Sequence, residues 1–148
     1  MATTVTKIID PDNGSGTDYT SLSAWEAAQQ GDLTGVRDEI AVAKCRCTGG
    51  TADTTAVTID GWTTSATQYI KIWTDPAEAY RHAGKYPTGN KYRIEATGAS
   101  WYGVVHSEES YTQVIGLAAY LRYADEGNTA AIKMGASNGV FYISHNVC

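Results

Sequence analysis

"DYTSLSAWEAAQQG" (18–31) is followed by "EIAVAKCRC" (39–47), and the two stretches repeat with different periods. In the first, Leu22, Trp25 and Ala28 recur three apart and Ser23 with Glu26 has capping-box spacing. Gly31 then offers a left-handed stop. One short amphipathic helix is predicted. In the second, strict alternation places Ala41, Ala43, Cys45 and Cys47 on one small apolar face. Ile40, Val42, Lys44 and Arg46 fall on the other. That is a strand.

Nothing after residue 31 repeats the helical pattern. "TVTKIID" (4–10) reads as a first strand, and "PDNGSGTD" after it is a run of turn-forming residues. Later strands are predicted at 56–62, 68–74, 91–97, 102–107, 111–117, 119–123, 130–134 and 140–147, separated by Gly, Asn, Asp, Ser or Thr turns. Tyr92 to Tyr111 spans 19 residues, Tyr111 to Ala131 spans 20, and Leu121 to Phe141 spans 20. A recurrence near twenty, with two or three short strands per period, suits a parallel β-solenoid. Many short strands also suit a β-sandwich or jelly roll. The pattern fits both.

The chain has 148 residues, enough for one domain (1–148) in which 1–31 form an N-terminal strand, turn and capping helix. Charged residues are 18 %, below the usual share of about 25 %, and the net charge is −5 with both signs interspersed. A nucleic-acid partner would want clustered Lys and Arg, so none is expected. The start "MATTVTKIID" lacks a secretory signal, and no stretch reaches the ~20 apolar residues of a membrane span. Synthesis and folding in a cytosol are expected, and no membrane partner. Cys45 and Cys47 lie on one strand face with Cα atoms roughly 7 Å apart, beyond the usual disulfide reach of about 6.8 Å. With Cys148 they are expected as free, buried thiols. No second Cys/His pair has zinc spacing.

Taken in order, "GTDYTSLSAWEAA", "EIAVAKCRC", "TIDGW", "YIKIWTDPAEAYRHAGKYPTGNKYRIE" and "YTQVIGLAAYL" resemble the opening module of right-handed parallel β-helix (pectate-lyase-like) proteins encoded by phages, environmental viruses and bacteria. The resemblance spans roughly residues 4–121. It implies an all-β, short right-handed parallel β-helix whose first coil is capped by the 18–31 helix. Most such proteins run on for many more coils than this chain. The resemblance further implies a non-enzymatic structural protein of a virus particle, assembled in the host cytoplasm. It would be a capsid decoration (cement) or spike-base protein, a homotrimer bound to a capsid or tail protein. A carbohydrate-binding or polysaccharide-depolymerising module is the second expectation, and an interaction module of a host bacterium the third.

Acid–base chemistry on polysaccharide would draw on carboxylates with Arg or Lys. Candidates are Asp75, Glu78, Arg81, His82, Lys85, Arg93, Glu95, His106, Glu108, Glu109, Asp125 and Glu126, none paired by spacing alone. They read first as solvated surface, and no catalytic set is assigned. Arg81, His82 and Lys85 form a cationic cluster beside Asp75 and Glu78, read first as an ion-paired loop. Trp73, Glu78, Arg81, His82 and Trp101 are the residues that would contact a sugar or anion. Trp62, Tyr102 and Tyr111 are further stacking candidates, though core packing is the commoner use of such rings. "DPDNGSGTD" misses the EF-hand pattern, with Gly at the fifth place, Ser at the sixth and no closing Glu, so a tight turn is expected. Neither metal nor cofactor is expected.

The sequence finishes on "GVFYISHNVC" (139–148), an alternating strand with no turn or polar tail after it. Phe141, Ile143 and Val147 are therefore candidate oligomer or capsid contacts. Val5 and Ile8 of the first strand are the matching candidates at the other end, where "TVTKII" could add to a neighbouring sheet edge.

Overall fold

A computed structural model describes residues 1–76, 79–97, 103–122, 130–136 and 139–148. Among these residues the chain is mostly β, with one short helix and parallel sheets. Strands β1 (Thr3–Ile9), β2 (Glu39–Cys45), β3 (Val57–Ile59), β4 (Ile70–Trp73), β5 (Ile94–Thr97), β6 (Val105–Ser107), β7 (Thr112–Ile115), β8 (Ala119–Arg122), β9 (Ile132–Met134) and β10 (Phe141–Ser144) follow one another, with helix α1 (Leu22–Gln29) after β1. Each strand lies in the stretch whose alternation predicts it, except that β1 starts one residue early.

Three sheets form, in the orders β1-β2-β4-β7-β10, β3-β6-β9 and β5-β8. All seven ladders between these strands are parallel. An immunoglobulin sandwich or jelly roll is built from antiparallel strands, so that alternative is corrected here. From β4 onward the chain visits the five-stranded, two-stranded and three-stranded sheets in turn, and repeats the cycle. Bridges Asp53↔Ile94 and Ala118↔Val147 continue the two-stranded sheet on both sides.

The expected twenty-residue recurrence is not the pairing distance. Partners in register lie from 25 residues apart (Ile94 to Ala119) to 48 apart (Val57 to Val105). Tyr92, Tyr111 and Ala131 are near three different sheets, so their even spacing has no structural meaning. The connections are unequal, and the one between β4 and β5 is the longest among them apart from that between α1's neighbours β1 and β2.

Register aligns like with like. Ala43, Ile72, Val114 and Ile143 form one column across β2, β4, β7 and β10, and Ala41, Ile70, Thr112 and Phe141 form the next. The small-residue face expected for β2 is the buried one, with Ala41, Ala43, Cys45 and Cys47 all inside. Small side chains there make room for the helix and the residues after it.

Helix α1 covers the β1–β2 end, and its frame differs from expectation. Ser21, rather than Ser23, is the N-cap, its Oγ accepting the Ala24 N–H at 3.1 Å. The inward stripe becomes Leu22, Trp25 and Glu26, while Ala28 is exposed. The helix closes at Gln30, whose N–H reaches the Glu26 carbonyl, before Gly31 (φ 146°). Leu22, Trp25 and Leu33 are buried, and Trp25 meets Trp62 at 5.5 Å between ring centroids. Full burial of each such side chain contributes about 1.5–3 kcal/mol. This end has a hydrophobic lid.

Candidate functional site

β10 is the last strand of the five-stranded sheet, so one of its edges has no partner among the described residues. A strand edge presents unpaired N–H and C=O groups that invite another strand. Its side chains are correspondingly open: Val140 is 60 % exposed, Tyr142 53 % and Ile143 50 %. Phe141 is half-buried, above Thr112 of β7. The column Ala43–Ile72–Val114 is closed over by its neighbours until Ile143, where it meets solvent. At the other edge Val5 and Ile8 are half-buried. There the Ile8 carbonyl already accepts the Asp18 and Tyr19 N–H groups, and the Asp18 carboxylate accepts the Ile8 N–H at 2.8 Å. The two edges are not equivalent: β1 is blunted at its Ile8–Ile9 end, and β10 has no second strand beside it among the described residues.

The turn after β10 is held from three directions. Asn146 accepts the Leu117 N–H at 2.7 Å and donates to the Val114 carbonyl at 2.8 Å. Val147 exchanges backbone hydrogen bonds with Leu117 and Ala119 at 2.9 Å, so this candidate contact is largely engaged within the chain. His82 reaches across from the loop before β5, its Nε2 lying 2.7 Å from the His145 carbonyl. Gly116 and His145 occupy equivalent places after β7 and β10, and both have positive φ (74° and 54°).

The expected Arg81–His82–Lys85 cluster does not assemble with Asp75. Asp75 pairs instead with Lys44 at 3.5 Å. The Arg81 guanidinium lies over Gly116, close enough that an added Cβ would stand 2.5 Å from Nε. Lys85 is exposed, and Glu78 lies outside the described residues, as do Trp101, Tyr102, Asp125 and Glu126. Arg93 and Glu95 form an ion pair at 2.7 Å. His106 is buried, with Nε2 3.1 Å from Glu108. Glu109 accepts the Trp62 N–H at 2.9 Å, and Trp62 is core. Trp73 is half-buried, with the Lys71 ammonium 4.0 Å from its ring centre.

The Asp-rich turn is a staple between β1 and the end of β2. Asp10 is fully buried and accepts from Asp12 N–H, Thr48 N–H, Thr48 Oγ1 and Arg46 Nε at 2.9–3.3 Å. Burial alone would raise the Asp12 carboxyl; bonds from Thr51, the Gly49 N–H and Cys47 outweigh it and hold the group at about 2. Asn13 (φ 54°) and Gly16 (φ 79°) make the tight turn expected there. Among the described residues no three His, Cys, Asp or Glu side chains converge to hold a metal. Cys45 and Cys47 are buried free thiols, but Cys148 is exposed, against expectation.

Two of the sequence candidates, Tyr111 and Phe141, meet in a groove at the five-stranded sheet that the sequence did not indicate. Ala66, Tyr69, Tyr111, Gln113, Val140, Phe141 and Tyr142 line about 180 Å³. Tyr69 and Tyr111 each directly precede a residue of the pair Ile70↔Thr112, which sets them on adjacent strands in one column. Two tyrosines immediately before equivalent strand positions were the signal. Comparison with known protein families, with curated proteins and with solved structures finds no match to this chain.

Proposed function

We propose that the chain is a short right-handed parallel β-helix, capped at one end by α1, that serves as a non-enzymatic structural protein of a virus particle. In this reading it is a decoration (cement) or spike-base protein and works as an oligomer, a homotrimer that binds a capsid or tail protein. The cyclic visiting of three parallel sheets and their aligned columns support the coil. The observation that carries the assembly role is the open β10 edge with exposed Val140, Tyr142 and Ile143, opposite an end that α1 and the Asp18–Tyr19 segment partly cover. Closed oligomers bury such surfaces by symmetry.

Sedimentation velocity and co-purification with particles test it. The wild type should form a stable oligomer or remain with particles. Ile143→Asp together with Tyr142→Asp should abolish both while leaving the far-ultraviolet circular dichroism of the monomer intact. A wild type that stays monomeric and binds no particle overturns the reading.

The Tyr69–Tyr111 groove favours a second reading, a carbohydrate-binding surface. Two tyrosines and a side-chain amide, Gln113, lining one groove suit the apolar face and hydroxyl rim of a sugar ring. The residues first expected to make such a surface, Trp73, Arg81 and His82, lie outside this groove. Loss of glycan binding in Tyr111→Ala would support it.

A further inference from the structure

We propose that Asn13 is a fold-gated deamidation site: the closed turn between β1 and α1 protects its side-chain amide, and a chain whose turn has opened loses it. The proposal is independent of the assembly and carbohydrate readings.

The turn itself selects the labile pair. Asn13 sits at φ 54°, a left-handed position that glycine, asparagine and aspartate tolerate best. An aspartate there would add a third carboxylate beside Asp10 and Asp12. At Gly14 a Cβ would stand 2.5 Å from Thr48 Oγ1 and 2.9 Å from Asp10 Oδ2, so only glycine fits. An asparagine followed by glycine is also the pair in which a backbone nitrogen most easily reaches the side-chain amide, because no Cβ hinders its approach. Asn13 is exposed, so water has access.

The reaction needs nothing but water. The Gly14 nitrogen attacks Cγ of Asn13 and a new N–C bond forms. The bond from Cγ to the side-chain nitrogen breaks, and ammonia leaves with the Gly14 amide proton. Water then opens the cyclic imide, at Cγ to give aspartate or at the main-chain carbonyl carbon to give isoaspartate. Nothing is oxidised or reduced. Isoaspartate adds a methylene to the main chain inside a turn that Asn13 N–H closes onto the Asp10 carbonyl at 3.0 Å.

In the closed turn the attacking nitrogen is pinned. The Gly14 N–H donates to Asp10 Oδ2 at 3.3 Å, and the Gly14 carbonyl accepts the Thr17 N–H at 3.1 Å and Oγ1–H at 2.6 Å. Asp10 is itself fully buried and held by Arg46 and Thr48. Attack turns the Asn13–Gly14 peptide, which pulls the N–H off Asp10 and shifts the carbonyl away from Thr17. The nitrogen must also give up its proton, and the bond to a carboxylate and that group's negative charge both keep the proton in place. A carboxylate is far too weak a base to remove it. Contacts and charge therefore act in the same direction, toward protection.

Peptide mapping by mass spectrometry, with aspartate and isoaspartate forms resolved, tests the gate on the full chain held at mildly alkaline pH. Unfolded in urea, the two asparagines that precede glycine, Asn13 and Asn138, should deamidate at like rates. In the folded chain Asn13 should be slowed at least about tenfold, the protection that two or three net hydrogen bonds confer against local opening. Thr17→Ala removes the hydroxyl bond to the Gly14 carbonyl. It should speed the folded rate about fivefold, the scale of one hydrogen bond, and leave the rate in urea unchanged. The comparison of folded with unfolded wild type stands without any variant. Equal wild-type rates in the two states, faster loss in the folded chain, or a folded Thr17→Ala chain that deamidates no faster than wild type overturns the gate.

Discussion

The hydroxyl of Tyr92 donates to Oδ2 of Asp53 at 2.9 Å, with both side chains buried. The same oxygen accepts the Leu22 N–H at 2.7 Å, and Oδ1 accepts the Thr55 N–H at 3.1 Å. One carboxylate thus joins the first turn of α1, the segment before β3 and the residue that leads into β5. Its backbone also bridges Ile94, so Asp53 serves as the two-stranded sheet's missing neighbour. The helix is fastened to the sheets through this side chain.

Tyr92→Phe should destabilise the chain by about 1–3 kcal/mol in a denaturant titration, because a buried acceptor loses a donor while shape is kept. Asp53→Ala should cost more, since it strands the Leu22 N–H and the Tyr92 hydroxyl together in the core. Equal losses from the two substitutions would mean the carboxylate does not bridge the helix and the sheets.

Much of this fold is legible in the alternation of the strands. Positions such as Ala41, Ala43, Cys45 and Cys47 state their own face, and Trp25 with Leu22 states the lid. Pairing is different, because it depends on connection lengths that side-chain periodicity does not encode. Tyr92 and Tyr111 look like a repeat, yet Tyr92 bonds to Asp53 while Tyr111 stands beside Tyr69 on another sheet. Phe141 and Ile143 were legible as strand contacts from their alternation, but the turn at His145 and the bridge from Val147 to Ala118 were not, because they depend on the partner segment after β7. The contact of His82 was not legible either, because its partner is a backbone carbonyl 63 residues away. Asp53 stood alone in "TGGTADTTAVT", a stretch without another charge, and that isolation is the clue to a buried anchor.

Gly116→Ala should lower stability for two separable reasons. The residue has φ 74°, where a Cβ costs roughly 1–2 kcal/mol. The new methyl would also meet the Arg81 guanidinium, whose Nε, Cζ and Nη2 lie 2.5–3.0 Å from its position. Arg81→Ala in the same chain should recover the steric part and leave the backbone part. A double-mutant cycle measures the split. Strict additivity would show that Arg81 does not occupy the space over Gly116.

Asp12 makes acid stability a local matter. Its carboxyl, held at about 2 against an ordinary 3.8, stabilises the fold above pH 3.8 and loses that contribution as pH falls toward 2. Asp12→Asn should therefore weaken the fold at pH 7 by about 1 kcal/mol or less, because water around this exposed turn screens the bonds to the charge. The deficit should shrink progressively below pH 3.8. Urea midpoints of both chains from pH 2 to 7 measure the convergence, and parallel curves would contradict it.

Glu26 is the opposite case. It sits on the inner side of α1, where Oε1 accepts the Trp62 Nε1–H and the Asp60 N–H, both at 3.3 Å. Burial is the main cause that lifts its carboxyl above the usual range. The bonds from Asp60 and Trp62 oppose the lift, and the neighbouring Asp60 and Glu109 charges add to it. A folded carboxyl that holds its proton more tightly than the unfolded one loses stability as pH rises from the ordinary 4.5 through the folded value. At neutral pH the ionised group is therefore a burden on the lid. Glu26→Gln keeps an oxygen for Trp62 and Asp60 and removes the charge. It should stabilise the chain at pH 7 by on the order of 1 kcal/mol. The gain should vanish below pH 4.5, where the wild-type side chain is protonated in both states. Thermal unfolding across pH 4 to 8 tests both halves. A glutamine variant less stable than wild type at pH 7 would mean that the Glu26 charge fastens the lid through its bonds to Trp62 and Asp60.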